Sequence, residues 1–115
     1  MRTMIGLLVA VLTGCGAGLA YVESAELCHV GTSPSGLERH EVSLVLHRGE
    51  DERAVCIKAT CLSDAGSEHE SNVCIDTLES ARATANIYSR GLCVSASGSI
   101  VHEDGSSEPF AITIR

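Results

Sequence analysis

The stretch Cys74–Ser89, CIDTLESARATANIYS, decides how the fold class is read. Cys74, Leu78, Ala81, Ala85 and Tyr88 recur at spacings of four and three, with Ile75 beside them. Asp76, Thr77, Glu79, Arg82 and Asn86 fall elsewhere. This period predicts an amphipathic helix whose shallow, Ala-rich face would lie close against a sheet. Asn72 suits the N-cap, Asp76 and Glu79 suit the positive end, and Arg90-Gly91 suits the stop.

The flanking segments change period. In EVSLVLH (41–47), Val42, Leu44 and Leu46 alternate with mostly polar neighbours. Val55, Ile57, Ala59 and Cys61 do so in RAVCIKATC (53–61). A four-residue loop over Gly49–Glu52 would pair Leu46 with Val55, Leu44 with Ile57 and Val42 with Ala59. Residues 62–72 (LSDAGSEHESN) are acidic and small and read as a loop. Downstream, Leu92, Val94, Ala96, Gly98 and Ile100 alternate with Cys93, Ser95, Ser97 and Ser99. Phe110, Ile112 and Ile114 follow a turn over 102–109, which predicts a second hairpin with Gly98 near Ile112 and Ala96 near Ile114. Glu26–Val30 reads as a short first strand before the loop GTSPSG (31–36). The expected fold class is α+β: a small antiparallel sheet of two hairpins and an N-terminal strand, with one amphipathic helix on a face.

The 115 residues allow one domain. Aromatics are 3%, with no Trp, which argues against an aromatic-lined cleft or a base-stacking surface. A net charge of −7 repels phosphate backbones, so no nucleic-acid partner is expected.

Met1–Thr3 carries the amine and one basic side chain, and MIGLLVAVL (4–12) is an apolar run. It is shorter than the roughly twenty residues a bilayer span needs, and it has the pattern of a secretory signal. It ends in Leu12-Thr13-Gly14-Cys15, which resembles the lipobox of bacterial lipoproteins: an aliphatic residue, a small one, Gly, then Cys. The resemblance implies diacylglycerol on the Cys15 thiol and cleavage just before Cys15. Gly16 rather than Asp follows, so no inner-membrane retention signal is implied. The match covers residues 1–15 and carries nothing about the fold beyond them. Gly18-Leu19-Ala20 also reads as a small-x-small cleavage site, which would release a soluble protein starting at Tyr21. A third reading makes the segment a buried helix of the mature chain. On the lipobox reading the chain divides into a signal (1–14), a lipid-proximal tether (15–25) and a disulfide-stabilised domain (26–115).

Cys28, Cys56, Cys61, Cys74 and Cys93 then remain for an oxidising compartment. Five is odd, so at most two disulfides form and one thiol is left. Cys61 and Cys74 flank the acidic loop and are the first choice of pair, contributing about 2–3 kcal/mol. Neither the Cys nor the His spacing suits zinc.

No P-loop, nucleophile elbow or H-E-x-x-H motif is present, and the serines around Cys93 read as the solvent face of a strand. No catalytic residue, cofactor or metal site is assigned. His102-Glu103-Asp104-Gly105 reads as turn chemistry, with Asp-Gly favouring positive φ. Glu50, Asp51 and Glu52, with Glu103 and Asp104, would form an acidic docking rim if the two hairpin tips share one end. The expected function is a non-enzymatic lipoprotein of the bacterial envelope with a binding or structural role. A secreted acidic inhibitor of a basic enzyme and a thiol-redox protein are the alternatives.

Overall fold

The computed structural model describes residues 18–76 and 81–115. They form eight strands: β1 (Tyr21–Thr32), β2 (Glu38–His47), β3 (Ala54–Ser63), β4 (Glu68–Asp76), β5 (Arg82–Ser89), β6 (Cys93–Val101), β7 (Ser107–Ala111) and β8 (Thr113–Ile114). One sheet has the order β5-β2-β1-β8 and the other β4-β3-β6-β7. Their inner faces pack together as a β-sandwich. Placing β1, β2 and β5 against β4, β3, β6 and β7 gives the Greek-key arrangement of immunoglobulin-like sandwiches.

The α+β expectation is therefore corrected: the chain is all-β, with no helix among the described residues. Cys74–Asp76 end β4 and Arg82–Ser89 are β5, while residues 77–80 lie outside the described residues. Ala83, Ala85, Ile87 and Ser89 turn inward, and Thr84, Asn86 and Tyr88 turn outward. A short Ala-rich segment satisfies a period of two as well as one of 3.6. Pairing decides between them, because β5 matches β2 at every position from Arg82↔Val45 to Ser89↔Glu38.

The inward residues of β2 and β3 were legible, but their pairing was not. Val42, Leu44, Leu46, Val55, Ile57 and Ala59 are all buried. Yet β2 pairs with β1 and β5, and β3 with β4 and β6. Residues 48–53 cross from one sheet to the other instead of closing a hairpin. Alternation fixes which side chains face the core; it says nothing about which strand supplies the hydrogen bonds.

The expected acidic loop contracts to a tight turn at Asp64–Ser67, with Gly66 at φ 86°. Its C-terminal part becomes β4. The β6–β7 hairpin forms, but Gly98 faces Phe110 rather than Ile112. A Cβ on Gly98 would run into the Phe110 ring, so the missing side chain makes room for that ring. Ala96 is not paired with Ile114. After Ala111 the chain crosses to the other sheet, where Ile114 pairs in parallel with Leu27. Part of the expected tether is also strand, since β1 begins at Tyr21 and both Ala20 and Ala25 are buried.

Two disulfides staple the second sheet: Cys56–Cys74 between β3 and β4, and Cys61–Cys93 between β3 and β6. This corrects the expected Cys61–Cys74 pair. The β3–β4 register sets Cys56 opposite Cys74 and places His69 opposite Cys61. Both bridges lie within one sheet, unlike the inter-sheet bridge of antibody domains. Cys61 and Cys93 are buried, whereas Cys74 is exposed on the outer face. Cys28 is the leftover thiol, half-buried on the outer face of β1 opposite Glu41.

Candidate functional site

Strand direction gathers three pieces of chain at one end of the sandwich, called the base below. They are Gly18–Ala20 before β1, Arg48–Arg53 between β2 and β3, and His102–Ser106 between β6 and β7. The turns at 33–36, 64–67 and 90–92 occupy the opposite end, the tip.

Glu52 is the centre of the base. It is 3% exposed, and its carboxylate takes four contacts. The N–H of Ala20 donates to Oε1 at 3.0 Å, and the N–H of Glu103 donates to Oε2 at 3.0 Å. Nδ1 of His102 lies 2.9 and 2.8 Å from the two oxygens. A carboxylate accepts only, so Nδ1 carries the proton. Burial alone would raise the Glu52 carboxyl. The Ala20 N–H, the His102 ring and the Glu103 N–H outweigh it and hold the group below the ordinary carboxylate range. Nε2 of His102 has no hydrogen-bond partner among the described residues and sits 3.7 Å from Oε1 of Glu108.

The segment before β1 is built into this cluster. Ala20 is 1% exposed. The N–H of Asp51 donates to the Gly18 carbonyl at 2.7 Å. Gly49 is buried against the same segment: a Cβ there would lie 2.7 Å from the Ala20 nitrogen and 2.9 Å from the Gly18 oxygen.

The five carboxylates of the expected acidic rim do share one end, but their roles divide. Glu50 and Asp51 are exposed. Glu52 is inside. Glu103 turns its Oε2 onto the N–H groups of Arg53 and Ala54, both at 2.9 Å. Asp104 accepts the Ser106 hydroxyl at 2.6 Å and its N–H at 2.8 Å, which lower its pKa, and Gly105 follows at φ 91°. The Asp-Gly turn reading thus fits the geometry.

His40 is the second buried polar centre, near the tip. Its Nε2 accepts the Cys93 N–H at 3.2 Å, and its Nδ1 lies 3.4 Å from the Ser89 hydroxyl. Burial, then the nearby His29, push its pKa down. A neutral imidazole therefore pins the start of β6, and with it the Cys61–Cys93 bridge, to β2. The sequence signal for His40 is weak, a histidine at an inward position of an alternating strand. No local pattern signals the pairing of Glu52 with His102, fifty residues apart.

A shallow groove of about 300 Å³ at the tip is lined by Val30, Thr32, Pro34, Arg39 and Tyr88. No group of three metal-ligating side chains occurs among the described residues. Cys15 lies outside the described residues. The chain matches no known family, and no curated protein is significantly similar to it.

Proposed function

We propose that this chain is a small lipoprotein of the bacterial envelope, anchored through Cys15, whose β-sandwich has a non-enzymatic binding or structural role. The observation that carries this reading is the burial of Ala20 and its hydrogen bond to Glu52. Cleavage after Ala20 would remove Gly18 and Ala20 from a cluster to which both contribute backbone hydrogen bonds. Cleavage before Cys15 leaves the cluster whole. The fold thus favours the lipobox over the competing site. Two disulfides in a small domain fit an oxidising, extracytoplasmic compartment.

The acidic-inhibitor alternative has less support. Glu52 is buried, and Glu103 and Asp104 bond to the chain's own groups. The thiol-redox alternative would rest on Cys28, which is half-buried and without a disulfide partner among the described residues. Intact mass of the membrane fraction is the test. The expected species begins at Cys15 and carries acyl mass, and Cys15→Ala abolishes both features. A soluble form beginning at Tyr21 would overturn the proposal.

A further inference from the structure

We infer that the base of the sandwich is its lipid-facing surface, and that the tip is held away from the bilayer. This rests on the Cys15 anchor proposed above and adds an orientation to it. Only Gly16 and Ala17 separate Cys15 from Gly18. Three residues reach at most about 10 Å. Gly18 and Ala20 are fixed to the base by the Asp51 N–H and the Glu52 carboxylate, so the anchor cannot swing to another part of the domain. The strands run from base to tip, and the ten residues of β2 span about 33 Å. The tip therefore stands beyond the reach of the tether whenever the strands rise from the membrane.

The surface chemistry opposes a domain lying flat on its second sheet. The outer face of the second sheet presents Thr60, Ser95, Ser97 and Ser99, with no apolar stripe to enter the interface. The molecule is also polarised along its strands. Glu50, Asp51, Glu103 and Asp104 surround the base, where Tyr21 is also exposed, while Val30, Leu62, Tyr88, Leu92 and Val94 are exposed near the tip. A base-down orientation turns the apolar end toward the envelope space.

Site-directed quenching tests this. The purified acylated protein, in a Cys28→Ser background, is labelled through Glu50→Cys at the base or Ala65→Cys at the tip. It is then reconstituted in phosphatidylethanolamine–phosphatidylglycerol vesicles with a headgroup-bound quencher. The base label should lose most of its emission and the tip label almost none. Equal quenching of the two, or stronger quenching at Ala65→Cys, would overturn the orientation while leaving the anchor intact. A purified chain with no acyl mass that fails to join the vesicles would instead overturn the anchor, and the orientation with it. Far-UV circular dichroism of each labelled variant establishes that the sandwich is folded.

Discussion

Oε2 of Glu52 and Nδ1 of His102 lie 2.8 Å apart inside the base, with both side chains at least 97% buried. This pair joins the connection between the sheets to the β6–β7 turn. Through Ala20 it also joins both to the start of β1. Glu52→Ala leaves the His102 ring and two backbone N–H groups buried without an acceptor. We expect a loss of about 3–4 kcal/mol in urea unfolding at neutral pH. Glu52→Gln keeps an acceptor and should lose about 1–2 kcal/mol. Because the folded-state pKa of Glu52 is lowered, its contribution is complete above the unfolded value of about 4.3. It is lost as pH falls through the folded value. In Glu52→Gln the decline of stability below about pH 4 should be shallower.

His40 sets a second acid limit at higher pH. Its folded pKa is pushed below the unfolded value of about 6.5, so the unfolded chain takes up the proton first. Stability attributable to His40 is therefore full above about pH 6.5 and declines as pH falls below it. His40→Leu should flatten the stability profile between about pH 5 and 7. It should also cost about 2 kcal/mol at pH 8, because the Cys93 N–H loses its acceptor. Chemical denaturation across that range measures both effects.

The two disulfides should separate under mild reduction. Cys74 is exposed, while Cys61 and Cys93 are buried, so a thiolate reaches Cys56–Cys74 first. Mass spectrometry after graded reduction and alkylation should show two added alkyl groups, on Cys56 and Cys74, before four. Before reduction, denatured protein from the Cys15→Ala chain should take up one, on Cys28. By chain entropy, closing 32 residues through Cys61–Cys93 contributes about 4 kcal/mol and closing 18 through Cys56–Cys74 about 3 kcal/mol. The double variant Cys61→Ala/Cys93→Ala should be the less stable of the two, since it also opens space in the core.

Gly49→Ala is the sharpest probe of the segment before β1. Its new Cβ would strike the Ala20 nitrogen and the Gly18 oxygen, both of which are backbone. The segment must move off the base and release the Glu52 hydrogen bond. Hydrogen exchange at the Ala20 amide should quicken at least tenfold, while amides in the centre of β3 stay protected. An unchanged Ala20 amide would count against the docked segment.

The inward faces of β2 and β3 could be read directly, because alternation survives any choice of neighbour; in β6 the expected alternation holds from Ser95 to Ile100, but the register shift opposite Leu62 and Ser63 leaves Val94 exposed and buries Cys93. The turn chemistry of Asp104-Gly105 and the solvent-facing serines of β6 were legible for the same local reason. Cys74–Ser89 was not. Its alanines fit a helix or a strand, and only the β2 edge offered to Arg82–Ser89 separates the two. The disulfides followed the same rule, since Cys74 meets Cys56 through the β3–β4 register and not Cys61, the cysteine across the expected loop.

The sequence by itself determined the apolar run of residues 4–12 before Cys15, the odd number of cysteines that follow Cys15, and the inward side chains of β2 and β3. These depend on composition and on spacing within one segment. Tertiary structure alone decided that strands adjacent in sequence enter different sheets and that Cys28 is the cysteine without a disulfide among the described residues. It also decided that Glu52 is a buried anchor for Ala20 and not a surface acid. Each of those outcomes depends on backbone pairing or burial between segments tens of residues apart. A local pattern cannot encode which distant partner will supply the missing hydrogen bond.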